Sequence, residues 1–183
     1  SNPYDAKGLL MSAIQEDNLV VFSEDKTLLG QKGNVPEEPY TIEIGKANVT
    51  REGDDLTIVA IGKMVAVAEE TAEKLAEDQV SVEVIDLRSV SPWDQETVLD
   101  SVKKTGRLIV IDESNPQCNI AGDVASVIGD VGFDYLDGPI KKVTAPDTPV
   151  PFAANLEAAY MPNADKVLDI ASELIDDLKK ANA

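Results

Sequence analysis

The sequence predicts an α/β fold: a three-layer sandwich with a mainly parallel sheet and helices on both faces. Two observations carry that reading. From residue 55 onward, short β-branched runs such as "LTIVAIG" and "RLIVID" alternate with amphipathic helical stretches. The runs are apolar on consecutive residues, as strands buried on both faces must be, and the helices between them are long enough for parallel crossovers.

The elements follow in order. Residues 5–18 place Leu9, Leu10, Ala13 and Ile14 at helical spacing behind Asp5, an N-cap residue type. Residues 19–25, "LVVFSED", read as a short strand. Residues 30–40 are polar and rich in Gly and Pro, and mark the sharpest composition change in the chain, as a linker or exposed crossing would. Residues 55–62 form a buried strand, and residues 64–78 a helix with Val67, Thr71 and Leu75 on one face. A strand over 80–90 leads to a helix over 91–106. That helix has Pro92 at its first position, Lys103 and Lys104 in its last turn and Gly106 at its C-cap. Strand 107–114, helix 120–132 and strand 138–147 complete the alternation. Residues 148–162 are bracketed by prolines and cannot be one helix. They hold Phe152, Leu156, Tyr160 and Met161, which either cover the sheet or present an apolar strip to a partner. A last helix spans residues 164–181.

Composition excludes several functions. The 183 residues suffice for one domain, or one domain and part of another, and 43% are hydrophobic, enough for a proper core. No apolar run is long enough to cross a bilayer and no signal peptide opens the chain, so a membrane role is not expected. The single cysteine precludes an internal disulfide and fits a reducing cytoplasm. Against 16 Lys and Arg stand 34 Asp and Glu, a formal charge of −18. Such a surface repels nucleic acid and attracts a basic partner.

The chain has no histidine, so neither a Cys–His nor a Ser–His–Asp mechanism can be assembled from it. Cys118 sits in a strand–helix loop, where a thiolate could be stabilised, but nothing is present to activate it. Asp112, Glu113 and Asp123 nearby also disfavour its charged form. Cys118 is therefore expected to be a partly buried scaffold residue. "TIVAIGKMVAV" carries one glycine where a dinucleotide turn wants three, and "GQKGN" is not fed by a strand. The acidic clusters "DESNPQ" and "EGDD" do not match a calcium loop and read as solvated turns. Asp25, Lys26 and Arg88, charges at strand ends, are expected to pair structurally.

The residues "PYDAKGLL", "VVFSEDKTLLG", "GKANVTREGDDLTIVAIGKMV", "VEVIDLRSVSPWD", "KTGRLIVIDESNP" and "TPVPFAANLEAAYMP" occur in an order that resembles one family. It is the beta subunit of the E1 component of 2-oxo acid dehydrogenase complexes, thiamine-diphosphate enzymes related to transketolase. "DESNPQCNIAGDV" and "TAPDTPVPF" look most like the acetoin dehydrogenase branch, which usually has His where Asp147 stands. The resemblance implies that residues 47–183 are a transketolase C-terminal-like domain. It also implies that residues 1–46 are the tail of a preceding pyrimidine-binding domain plus linker. The family's catalytic glutamate and its pyrophosphate and magnesium motif match nothing here, so the resemblance implies no catalytic, cofactor-binding or metal residue in this chain. Thiamine diphosphate and Mg would belong to the assembled parent enzyme, and a chain without an initiator Met is expected to be a fragment or processed form. Implied partners are an E1 alpha subunit, a second copy of the chain in a homodimer, and the basic subunit-binding domain of an E2 acyltransferase. From charge and position, Glu173, Asp176 and Asp177 of the last helix are candidates for E2 binding. The alternative is an independent module holding a small ligand at the strand carboxyl ends, near Gly62–Met64 and at Asn115, Pro116, Cys118 and Asn119.

Overall fold

The computed structural model describes residues 1–181, the last six of them as helical backbone only. Strands β1 (Asn48–Arg51), β2 (Leu56–Ala60), β3 (Val82–Asp86), β4 (Leu108–Ile111) and β5 (Lys141–Val143) form one sheet in the order β1-β3-β2-β4-β5. All neighbours pair in parallel except β1, which runs antiparallel along β3. Helices α1 (Pro3–Gln15), α2 (Met64–Glu77), α3 (Gln95–Thr105), α4 (Ile120–Val131), α5 (Ala154–Tyr160) and α6 (Ala164–Ala181) complete the chain. The expected three-layer α/β sandwich is present.

The two-residue period of the strands explains how the layers are made. On β2, Leu56, Ile58 and Ala60 face α2 and α6, where Met64, Ala68, Ala72, Val167 and Ala171 complete one core. Val59 faces α3 and α4, joining Ile85, Leu108, Val110, Val98, Val102, Val124 and Ile128 in the other. Every residue of β2, β3 and β4 is buried, in a run that is apolar throughout β4 and interrupted by Thr57 in β2 and by Glu83 and Asp86 in β3.

The hydroxyls of Thr57, Ser101 and Thr105 and the carboxylate of Glu83, admitted to the α3 side, are paired. The Thr57 hydroxyl sits 2.6 Å from that of Ser101 and 2.7 Å from that of Thr105, tying β2 to α3 by a hydroxyl cluster. Glu83 of β3 is buried and accepts from Lys104 of α3. Burial works against its ionisation, but Lys104 and Ser101 outweigh burial and hold the carboxyl below its usual range.

Some elements differ from expectation. Residues 19–25 form no strand: Leu19 is 95% and Val21 87% exposed, and no second strand lies alongside to take their backbone hydrogen bonds. Strand β1, unanticipated because it is short and half-exposed, is instead the sheet's edge. Helix α1 is capped by Asn2, whose side chain accepts from Asp5 N at 2.9 Å, with Pro3 at its first position. Asp5 lies one turn in rather than at the cap. Helix α3 starts at Gln95, because Asp94 takes the Thr97 amide as N-cap. Pro92 therefore precedes the helix, while Gly106 at φ 69 is the expected left-handed C-cap. Between its prolines the 148–162 segment folds two turns of α5, with Tyr160 buried and Phe152 and Leu156 exposed.

Residues 30–40 lack helix and strand, as expected, but return to α1. Tyr4 and Tyr40 stack at 4.5 Å, the Tyr40 hydroxyl donates to Tyr4 O at 2.7 Å, and Lys7 caps the carbonyls of Pro36, Glu37 and Glu38. Gly8 permits this approach, since a Cβ there would stand 2.6 Å from the Ile42 side chain.

Candidate functional site

Chain order reverses between β2 and β4, and in open α/β sheets the crevice beyond the carboxyl ends at such a point is where ligands bind. Two loops border it, Ile61–Lys63 after β2 and Asp112–Asn119 after β4. The second contains the sequence-predicted cluster, and the structure brings its members together. Asn119 caps α4, accepting from Gly122 N at 2.7 Å and donating to Asn115 O at 2.6 Å. Asn115 accepts from the Tyr160 hydroxyl at 3.1 Å, fastening α5 to the loop. Asp112 is buried and accepts from Ser114 N at 2.9 Å. Pro116 is half-buried between them. The amide groups of Asn115 and Asn119 are thus occupied in holding the loop and starting a helix.

Cys118 differs from its expected setting. It is exposed rather than partly buried, at φ 51 in the left-handed region, because the loop turns outward before Asn119 begins α4. The general statement about charge at this crevice comes from Glu113. Crowding by surrounding chain raises its carboxyl above the usual range, and Asp25, Asp112 and Glu157 add to that, with Lys63 opposing. Glu113 keeps an exposed face, so the effect is one of crowded carboxylates at the surface. Asp25 also closes its own turn, accepting from Thr27 N at 2.8 Å. A field of this sign does not suit a pyrophosphate. Among the described residues no three His, Cys, Asp or Glu side chains lie close enough to hold a metal ion. The chain's own residues therefore do not fit thiamine diphosphate with Mg, and no chemical step is assigned to them.

The carboxyl end of β3 is covered by α1. Arg88, at φ 57, extends its guanidinium to Asp5, Nη2 to Oδ1 2.6 Å, with the Asp5 side chain buried and that of Arg88 13% exposed. The Ser1 hydroxyl donates to Asp86, and Gly45 N donates to Ser89 Oγ at 3.1 Å. Arg88 thus pairs structurally, as its position at a strand end suggested. Its partner Asp5 was missed; the Asn-Pro start of α1 would have placed it in the first turn and made it a buried-anion candidate.

Of the partner-binding candidates, Glu173 is exposed on α6, whose Val167, Ala171, Leu174 and Ile175 face the core. Asp176 and Asp177 lie outside the residues whose side chains are described. No helix among the described residues is long and apolar enough to cross a membrane.

Comparison with known proteins agrees with this geometry. Residues 45–167 match the transketolase C-terminal domain. The acetoin:2,6-dichlorophenolindophenol oxidoreductase subunit beta of Bacillus subtilis (strain 168) is 53% identical over 175 residues, covering 96% of this chain and 51% of that protein. The pyruvate dehydrogenase E1 component subunit beta of the same organism is 46% identical over 177 residues, covering 96% and 54%. Among solved structures, one described as a split gene transketolase, inactive beta4 tetramer, superimposes with a TM-score of 0.64 at 29% identity. That match covers 74% of this chain and 43% of the other. The chain spans about half the length of the curated relatives it matches. On sequence, topology and the run of its matched residues, the chain belongs to the transketolase C-terminal domain family and is homologous to the E1 beta subunits of acetoin and pyruvate dehydrogenases.

Proposed function

We propose that this chain is the assembly and docking part of the beta subunit of a thiamine-diphosphate-dependent acetoin dehydrogenase of the 2-oxo acid dehydrogenase E1 type. In this reading residues 1–46 are the tail of the preceding domain with its linker, and residues 47–183 are the C-terminal domain. The observation that carries it is likeness to beta subunits across 96% of the chain. The carboxyl-end crevice, whose polar groups are spent on loop and cap, supports a scaffold role over a ligand site.

The domain supports an alpha2-beta2 enzyme, pairs with a second copy of itself, and captures the basic subunit-binding domain of the E2 acyltransferase. The charge of −18 supplies long-range attraction for that capture, with Glu173, Asp176 and Asp177 as candidate contacts. Thiamine diphosphate, held in the parent enzyme outside this chain, supplies the carbanion chemistry on acetoin or a 2-oxo acid. The chain alone is inactive, and the enzyme works in the cytoplasm. The test is the size of the native protein in source cells, by immunoblot with antibody against this chain, followed by co-purification. A band well above 19.6 kDa that co-purifies with an E1 alpha subunit is expected. A band at 19.6 kDa without alpha would replace this reading with a free-standing module.

A further inference from the structure

Beyond the end of β3 the chain makes a turn that its own sequence does not favour. Arg88 sits at φ 57, a region that side chains of its kind rarely enter, and across it Ser89 N donates back to Leu87 O at 2.5 Å. A three-residue turn with positive φ at its centre is the strained form of the γ-turn. No glycine stands at the centre to relieve it, so contacts around the turn must hold its shape.

Two sets of contacts meet at this turn. One comes from α1: Arg88 Nη2 reaches Asp5 Oδ1 at 2.6 Å, while Arg88 N donates to Asp86 Oδ1 at 3.0 Å. Arg88 Nε is buried without a hydrogen-bond partner among the described residues, so the guanidinium is anchored through its bond to Asp5. The other set leads to the sheet's edge. Ser89 Oγ accepts from Gly45 N at 3.1 Å, and Gly45, at φ 87, packs so closely on Pro92 that a Cβ would stand 2.9 Å from it. Just beyond, Ala47 N donates to Asp94, the N-cap of α3, at 3.1 Å, and β1 begins at Asn48, opposite Asp86. The entry of the edge strand is therefore fixed through the residue that follows Arg88.

We propose that Asp5, Arg88 and Ser89 form a conformational relay, in which docking of α1 holds Arg88 at positive φ and so holds the entry of β1. With α1 undocked, nothing opposes the return of Arg88 to negative φ. Ser89 Oγ then leaves Gly45 N, and residues 45–51 loosen at the margin of the sheet. The relay has two states because its two terms are of similar size. Backbone strain of this kind and a charged hydrogen bond are each worth roughly tenfold or more in an equilibrium constant, so losing the second lets the first decide. The order of the edge strand thus depends on a helix that does not touch it in sequence. The relay needs only this chain, whatever the parent enzyme acts upon.

The test is amide hydrogen exchange of the whole chain, followed residue by residue by NMR. It must separate the relay from a direct route, since Ile42 N also donates to Gly8 O of α1 at 3.2 Å. Asp5→Ala removes the anchor and should speed exchange about tenfold or more both in α1 and over residues 45–51. Arg88→Gly removes the same ion pair but bears positive φ without strain. There α1 should open to a similar extent, while residues 45–51 exchange as in the parent. Ser89→Ala should do the converse, speeding exchange at Gly45 and along β1 with α1 unchanged. Exchange in β2–β4 is the check on folding and should match the parent in every variant. Equal loosening of residues 45–51 by Asp5→Ala and Arg88→Gly would overturn the relay in favour of the direct route. An Asp5→Ala chain that opens α1 yet keeps residues 45–51 fully protected would overturn it as well, as would one in which α1 stays closed.

Discussion

Helix α2 is 14 residues long and buries Met64, Ala68, Ala72 and Leu75 at 0–2% exposure. Helix α1, at 13 residues, buries only Asp5 and Gly8, while its Leu10 and Ile14 stand 42% and 70% exposed. The first is held by apolar area over a sheet. The second is held by one buried ion pair, hydrogen bonds to the 36–42 segment and a close approach at a glycine. Helices of nearly equal length can therefore belong to a structure in different ways. Area makes α2 part of the cooperative unit, while point contacts make α1 a guest on it.

Three changes would break or sharpen that contrast. The largest effect is expected from Ile58→Ala, which empties a fully buried site on β2 between α2 and α6. It should cost about 2–5 kcal/mol, read as one thermal transition shifted down for the whole chain. Next is Arg88→Ala, which leaves Asp5 buried without its cation. The lost charged hydrogen bond is worth about 1.5–3 kcal/mol, so local opening should rise roughly tenfold or more. Hydrogen exchange should show residues 1–40, already the least protected in the parent, released while β2–β4 stay protected. Equal protection of α1 and β4 in the parent chain would erase the contrast.

Smallest is Asp94→Ala. The Asp94 carboxylate accepts from Thr97 Oγ1 at 2.8 Å and from Ala47 N at 3.1 Å, joining α3 to the entry of β1. Burial opposes its ionisation, but the Thr97 bonds, Ala47 N and Lys46 outweigh it and hold the carboxyl below its usual range. A lowered value means the stabilisation is present above the unfolded value, about 3.9, and is lost as pH falls through the folded one. The variant should lose about 1 kcal/mol at pH 7, with the gap from the parent closing on acidification below about pH 4 in denaturant titrations.

The same contrast decides what could be read in advance. From residue 55 the apolar runs and helix faces are made by elements that bury one another, so periodicity alone located β2, α2, β3, β4, α4 and α6. "LVVF" has strand composition but lacks its neighbour, and composition cannot report a neighbour's absence. Strand β1 failed in the opposite sense: "NVTR" is too polar to signal a strand, and β3 alone makes it one. Helix starts were misplaced by a few residues: Asn2 rather than Asp5 caps α1, and Asp94 starts α3 beyond Pro92. The loop of Asn115–Asn119 was foreseen as a cluster. That its amides would be consumed by α4 and Tyr160 depended on α5, which sits between prolines and was not anticipated.

The sheet's two borders carry a further consequence. One is β1, four residues with a break in register between Val49 and Arg51; the other is β5, three residues of which two are Lys141 and Lys142. Short, irregular or cationic margins are poor templates for a foreign strand. Copies of this chain at high concentration should thus resist growing into continuous ribbons through their sheet edges.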